Sequence, residues 1–233
     1  MQINTFTKTI AIISTLTFSF IAMQNQTNAA DETPSFEPKY LKGDAEKGKM
    51  KYMVCVNCHG PTGGGNIIFK SAALPGQQDW YLQSQLQKFK LGMRGTKPGD
   101  IAGMQMRAMS MTLATEQDMA DVVAYIKTFP PVVAAPTLKG DLAKGKATFE
   151  KFCIECHGPK ALGLKEKQSP SLMGLTDWYI ITQVKNVQNG LRGYAPNDKH
   201  VHEMKEKIVT ITDEQTIIDV ALYILSLQEA PAK

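Results

Sequence analysis

Long apolar runs are few. The longest, residues 9–23, is interrupted only by Ser and Thr. It falls short of the roughly twenty residues that cross a bilayer. No later segment is long and apolar enough to span. Lys8 precedes the run, and small residues Thr27, Asn28, Ala29 and Ala30 follow it. Residues 1–30 therefore read as a secretory signal peptide, cut after Ala29 or Ala30, rather than as an uncleaved membrane anchor. A dominant charge is also missing. The formal net charge is +4, and removal of Lys8 leaves +3. Residues 31–135 carry 12 basic and 10 acidic side chains, and residues 136–233 carry 13 and 12. This balance offers no basic face of the size nucleic acid requires and no strong long-range steering of a partner. Strand-like alternation of apolar and polar residues is not evident either, which points to helices.

Cysteine is scarce, and its few positions are informative. All four cysteines fall in two pentapeptides, Cys55-Val56-Asn57-Cys58-His59 and Cys153-Ile154-Glu155-Cys156-His157. In an exported chain four cysteines also fit two disulfides, and C-x-x-C alone fits a redox enzyme. Neither chemistry needs the histidine that closes each motif. C-x-x-C-H is the pattern for covalent attachment of a c-type haem. Its two thiols add to the haem vinyl groups, and the histidine becomes the proximal iron ligand. Cys55, Cys58 and His59 are thus the candidates for one haem, and Cys153, Cys156 and His157 for the other. Four propionates would bring the loaded protein close to neutral.

The motifs lie 98 residues apart, and much else recurs at that offset. Asp79-Trp80-Tyr81-Leu82 returns as Asp177-Trp178-Tyr179-Ile180, and Gln85 returns as Gln183. Gly92-Met93-Arg94-Gly95 returns as Gly190-Leu191-Arg192-Gly193, and Asp100 as Asp198. Upstream of the cysteines the offset is 97, so one residue was gained or lost just before the haem motif. Two copies of a unit this long make duplicated domains, not a solenoid, which needs at least about three shorter repeats. The expected division is a first domain over 31–130, a linker over 131–137 and a second domain over 138–233. Pro130, Pro131 and Pro136 bar a helix through the linker and stiffen it.

Each unit reads as all-α. The spacing predicts a first helix from about Ala45 into the cysteines, a middle helix over about Gln78–Leu91 and a last helix over about Glu116–Phe129. Thr115 and Asp213 are the expected N-caps of the last helix in each half. Gly48 with Tyr52, and Gly145 with Phe149, set a small and an aromatic residue four apart. That spacing invites close approach by the helices holding Tyr125 and Tyr223.

The sixth iron ligand separates electron transfer from catalysis: an open site admits a small molecule, whereas a thioether closes the site and raises the potential. The second half offers two methionines, Met173 and Met204. Met173 has Pro75 as its repeat partner and reads as core, whereas Met204 repeats Met106. In the first half Met104, Met106, Met109 and Met111 crowd what reads as a loop. The repeat selects Met106, with Met109 next. His200 and His202 are alternatives to Met204 without counterparts in the first half. The metal ligands expected are therefore His59, Met106, His157 and Met204. Backbone carbonyls near Ala72 and Pro170 are candidates to orient the proximal histidines. Arg94 and Arg192 are candidates to pair with propionates or to span the domain interface. Trp80 and Trp178 read as packing.

On the duplicated C-x-x-C-H-G, the Leu74-Pro75-Gly76-Gln77 segment ahead of Trp80-Tyr81, and Met106 or Met204 before the last helix, the chain resembles the dihaem cytochrome c4 family over about residues 40–228. It departs from the family at Leu172-Met173-Gly174-Leu175 and in lacking a charge asymmetry between domains. The resemblance implies two class I cytochrome c domains with His/Met ligation and haems close across the interface. It further implies a periplasmic carrier in a respiratory chain, without catalysis of its own. Redox partners of this type are a quinol–cytochrome c reductase and a terminal oxidase, and a peripheral association with the membrane is compatible with the role. Two other readings compete: the cytochrome subunit of a dehydrogenase, such as one for flavin-dependent sulfide oxidation, and a dihaem peroxidase-type enzyme, which the paired methionines oppose.

Overall fold

Asp44 starts the first helix by accepting hydrogen bonds from the Glu46 and Lys47 amides at 3.0 and 3.3 Å. These are donors an α-helix leaves free at its N-terminus. The structure of the protein, a computed structural model, describes residues 36–228 together with Gln2. Apart from Gln2, the expected signal peptide lies outside the described residues. In the first half α1 spans Ala45–Tyr52, α2 Val56–His59, α3 Asp79–Lys90, α4 Ile101–Ser110 and α5 Glu116–Ile126. In the second half α6 spans Leu142–Phe152, α7 Ile154–His157, α8 Asp177–Gln188, α9 Lys199–Ile208 and α10 Glu214–Ser226. Among the described residues there is no strand; Asn66 with Ser71 and Leu164 with Ser169 form isolated bridges.

The middle and last helices sit where the apolar spacing puts them. Thr115 caps α5 in a reciprocal box with Asp118, and Asp213 caps α10 through the Thr216 amide. Two expectations need correction. The first helix does not run into the cysteines; it ends at Tyr52, and a separate turn, α2, carries Cys58 and His59. The methionine-rich segment is not a loop either. Met104, Met106 and Met109 ride on α4, and His200 and His202 ride on α9. Gly103 within Ile101–Met106 obscures the apolar period of α4, whose start is secured by the Asp100 carboxylate on the Gly103 amide at 2.9 Å. In α9 the apolar stripe is thin, Val201, Met204 and Ile208, amid charged residues.

In each half the N-terminal and C-terminal helices cross in close contact. A Cβ on Gly48 would run into the Asp121 carbonyl of α5, and one on Gly145 into the Asp219 carbonyl of α10. Only glycine permits these crossings. The aromatic one turn on fills the angle: Tyr52 and Tyr125 stand edge to face with ring centroids 5.6 Å apart, and Phe149 and Tyr223 are also 5.6 Å apart. Tyr52, Met119, Val122 and Val123 are 1% exposed in the first core, and Val187 and Ala221 are sealed in the second. Each large apolar side chain so buried contributes about 1.5–3 kcal/mol.

The segment between the halves is held rather than loose. The Ala134 amide donates to Gln228 Oε1 at 2.9 Å, and the Thr137 and Leu138 amides donate to the Asp177 carboxylate at 2.6 and 3.1 Å. Gln77 Nε2 reaches the Met173 carbonyl at 3.1 Å, and Gln78 spans to Leu162 and Ser171. The Tyr194 hydroxyl donates to the Gly92 carbonyl at 2.9 Å.

Candidate functional site

The turn α2 places Cys55, Cys58 and His59 on the wall of one cavity, because the Cys58 and His59 amides both fold back onto the Cys55 carbonyl, at 3.2 and 2.9 Å. The second motif repeats this on the Cys153 carbonyl. A single continuous cavity is lined by both motifs, so the two halves open onto shared space at their interface. Its remaining walls are largely apolar, with Leu82, Phe89 and Val123 from the first half and Ile180, Val184 and Val220 from the second.

Each motif histidine is already oriented. His59 Nδ1 lies 2.8 Å from the Ala72 carbonyl, and His157 Nδ1 lies 2.9 Å from the Pro170 carbonyl. A carbonyl only accepts, so Nδ1 carries the proton and donates, leaving the lone pair on Nε2. Burial holds both imidazoles below the usual histidine range, against the raising effect of those same bonds. The neutral ring is the form that binds a metal. No disulfide joins the four cysteines. Burial, reinforced by the neighbouring Cys58, pushes Cys55 up to about 11, and burial beside Cys156 pushes Cys153 up to about 12.

Met106 and Met204 line the same cavity from α4 and α9, half-buried. Met109 and His200 also line it. Met109 is 39% exposed, and the His200 ring stands 3.7 Å from Glu203. Met104, Met111 and His202 do not reach the lining, and Met173 packs against the second core.

One part of the site was only half legible in the sequence. Arg94 and Arg192 meet at the interface. Arg94 donates to Gln85 Oε1 at 2.6 Å and across to Gln183 Oε1 at 3.3 Å. Arg192 donates to Gln183 Oε1 at 3.0 Å and across to the Tyr81 hydroxyl at 3.0 Å. The glutamines and tyrosines recur at the 98-residue offset, which is the signal that could have grouped them. Both arginines line the cavity, their hydrogen-bond partners among the described residues are neutral, and Arg192 Nε is buried without a partner. Burial resists ionisation of the Tyr81 phenol, yet Arg192 and Arg94 draw it below its ordinary value. Two cations with no carboxylate bonded to them, beside an apolar slot, call for an anionic group on an otherwise apolar ligand. Haem has that distribution, a flat apolar ring with two carboxylates at one edge, and the paired cysteines and presented imidazoles suit its vinyl groups and iron.

Paired attachment motifs, oriented imidazoles and an arginine-lined apolar cavity together define a tandem c-type cytochrome. The cytochrome c family matches the chain twice, over residues 45–130 and 142–228. The chain is similar to cytochrome c4 of Azotobacter vinelandii, 34% identical over 168 residues that cover 66% of this chain and 76% of that protein. It is also similar to the thiosulfate dehydrogenase electron acceptor of Thiomonas intermedia, 31% identical over 175 residues, 70% of this chain and 73% of the other. The crystal structure of reduced recombinant cytochrome c4 from Pseudomonas stutzeri matches with a TM-score of 0.61 at 27% identity, covering 78% of this chain and 98% of that one. The chain belongs to the dihaem cytochrome c4 family: an all-α electron carrier of two tandem cytochrome c domains with two covalently bound haem c groups, at Cys55 and Cys58 and at Cys153 and Cys156.

Proposed function

We propose that this protein is an exported, periplasmic carrier in which both irons are closed by one histidine and one methionine, His59 with Met106 and His157 with Met204, and that it passes electrons to a terminal oxidase. The haem iron, cycling between ferric and ferrous states, supplies the one-electron chemistry. The observation that carries the reading is the common cavity, lined by both motif histidines and both repeat-related methionines. His59 and His157, each held through Nδ1, keep Nε2 aimed in both oxidation states, so little rearrangement accompanies transfer. Arg94 and Arg192 supply positive charge where the propionates need counter-ions. The domains are taken as 31–130 and 138–233, with 131–137 between them.

The test is the methionine–iron charge-transfer band of the oxidised holoprotein. Intensity for two haems is expected, with half lost in Met106→Ala and half in Met204→Ala. An unchanged band in either variant would refute that ligand. A second reading has one observation in its favour, the similarity to the Thiomonas intermedia electron acceptor. In that reading the donor is a periplasmic dehydrogenase. Reduction by a purified dehydrogenase of that class, at rates well above those with a quinol–cytochrome c reductase, would favour it.

A further inference from the structure

The two repeats treat one residue differently. Asp100 and Asp198 are equivalent, and each stands at the N-terminus of the helix that bears the candidate methionine. Asp100 caps its own helix through the Gly103 amide. The Asp198 side chain makes no capping bond. Instead it accepts from Lys88 Nζ of the first half at 2.7 Å, with side chains 1% and 10% exposed. Its second oxygen is buried without a partner. The reciprocal contact cannot form, since Asn186 replaces lysine at the repeat position. The N-terminal segment covers the pair: the Phe36 ring lies 5.4 Å from Lys88 Nζ, and the Phe36 amide donates to the Asn197 carbonyl at 3.2 Å. The Asp198 carbonyl in turn receives the Val201 and His202 amides at 3.1 and 3.2 Å, the first turn of α9.

We propose that Lys88, a residue of the first domain, is a positioning residue for the iron site of the second: by drawing Asp198 across the interface it fixes the first turn of α9 and so sets Met204, one turn on. This rests on the reading of Met204 as a ligand. The buried charge attraction is strong only while the halves remain apposed, because water on separation screens it. The second site is thereby coupled to the domain interface, whereas the first, whose α4 is capped from within, is not. The duplication thus yields two inequivalent haems from nearly identical pockets.

The experiment uses the holoprotein with Lys88→Met, and with Lys88→Met/Asp198→Asn, which removes the pair without leaving a lone buried charge. Hydrogen exchange at the Val201 and His202 amides reads the hold on α9 directly, and about tenfold faster exchange is expected in both variants. The Gly103 and Met104 amides of α4 should not change. The methionine–iron band should lose up to the share of one haem, and one of the two midpoint potentials should move while the other stays. Unchanged exchange in the double variant, or an equal loss at both sites, would overturn the proposal. A band that survives Met204→Ala would instead refute the ligand reading, and the exchange measurement would still decide whether Lys88 holds α9.

Discussion

Replacing Gly145 by alanine should destabilise the second domain, against the intrinsic preference of a helix. Gly145 lies inside α6, where alanine is favoured over glycine by about 1 kcal/mol. A Cβ there would meet the Asp219 carbonyl oxygen and carbon of α10, with Tyr223 Cβ 2.9 Å away. The first obstacle is helix backbone and cannot rotate aside, so α6 and α10 must separate. Separation loosens the Phe149–Tyr223 contact and the Asp141 amide bond to Asp219 Oδ1 at 2.9 Å. Overpacking of this kind, backbone shifts included, costs about 1–3 kcal/mol, and an obstacle of helix backbone puts this site at the upper end. With the propensity gain deducted, a net loss of about 2 kcal/mol is expected. For a chain of this size that lowers Tm by roughly 4–8 °C. The assay is thermal unfolding of the holoprotein, with Gly64→Ala as control, because a Cβ on Gly64 meets nothing within 4 Å. The control should stay within about 0.5 kcal/mol of wild type. A Gly145→Ala protein as stable as wild type, or more stable, would show that the helices do not approach as described.

Other consequences follow from the same contacts. Asp177, wholly buried, accepts from Thr137, Leu138 and Trp178, so Asp177→Ala should cost about 3 kcal/mol in denaturant unfolding and loosen the linker end, seen as faster hydrogen exchange at the Thr137 and Leu138 amides. Burial raises the Asp121 carboxyl, but bonds from Gln117, the Asp44 amide and Lys51 outweigh it and hold it down to about 2. Its folded value lies below its unfolded one, so its contribution is full above about pH 4 and is lost as pH falls through 2. The stability gap between wild type and Asp121→Asn should therefore shrink across that window, and a constant gap would contradict the assignment. Removing the cation in Arg192→Met should lower the midpoint potential of at least one haem, since nearby positive charge favours the ferrous state. Two unchanged potentials in a redox titration would place Arg192 away from the haems.

The residues that form each pocket were legible because covalent attachment needs a fixed local pattern. C-x-x-C-H holds its thiols and imidazole within one helical turn, and the 98-residue offset then picks out Met106 and Met204 without reference to any fold. Gly48 and Gly145 likewise announced their close helix crossings, since a small residue one turn from an aromatic is a local signal. The α4 and α9 helices were not legible: Gly103 in one and a mostly charged surface in the other leave too few apolar positions to set a period, and the faces they do bury pack against α3 and α8, contacts that local spacing does not reveal. The particular partners across the interface were beyond reach for a different reason, although Arg94 and Arg192 were candidates to span it. Lys88 and Asp198 lie 110 positions apart, and the repeat gives no hint of the pair, because Asn186 stands where lysine would have to recur. Arg94, Arg192, Tyr81 and Gln183 come together only when the two halves pack. Sequence by itself determined two haem sites in duplicated helical domains, because those depend on short-range spacing. Tertiary structure alone decided that the sites share one cavity and that the second leans on the first, because a contact between repeats leaves no periodic trace in either.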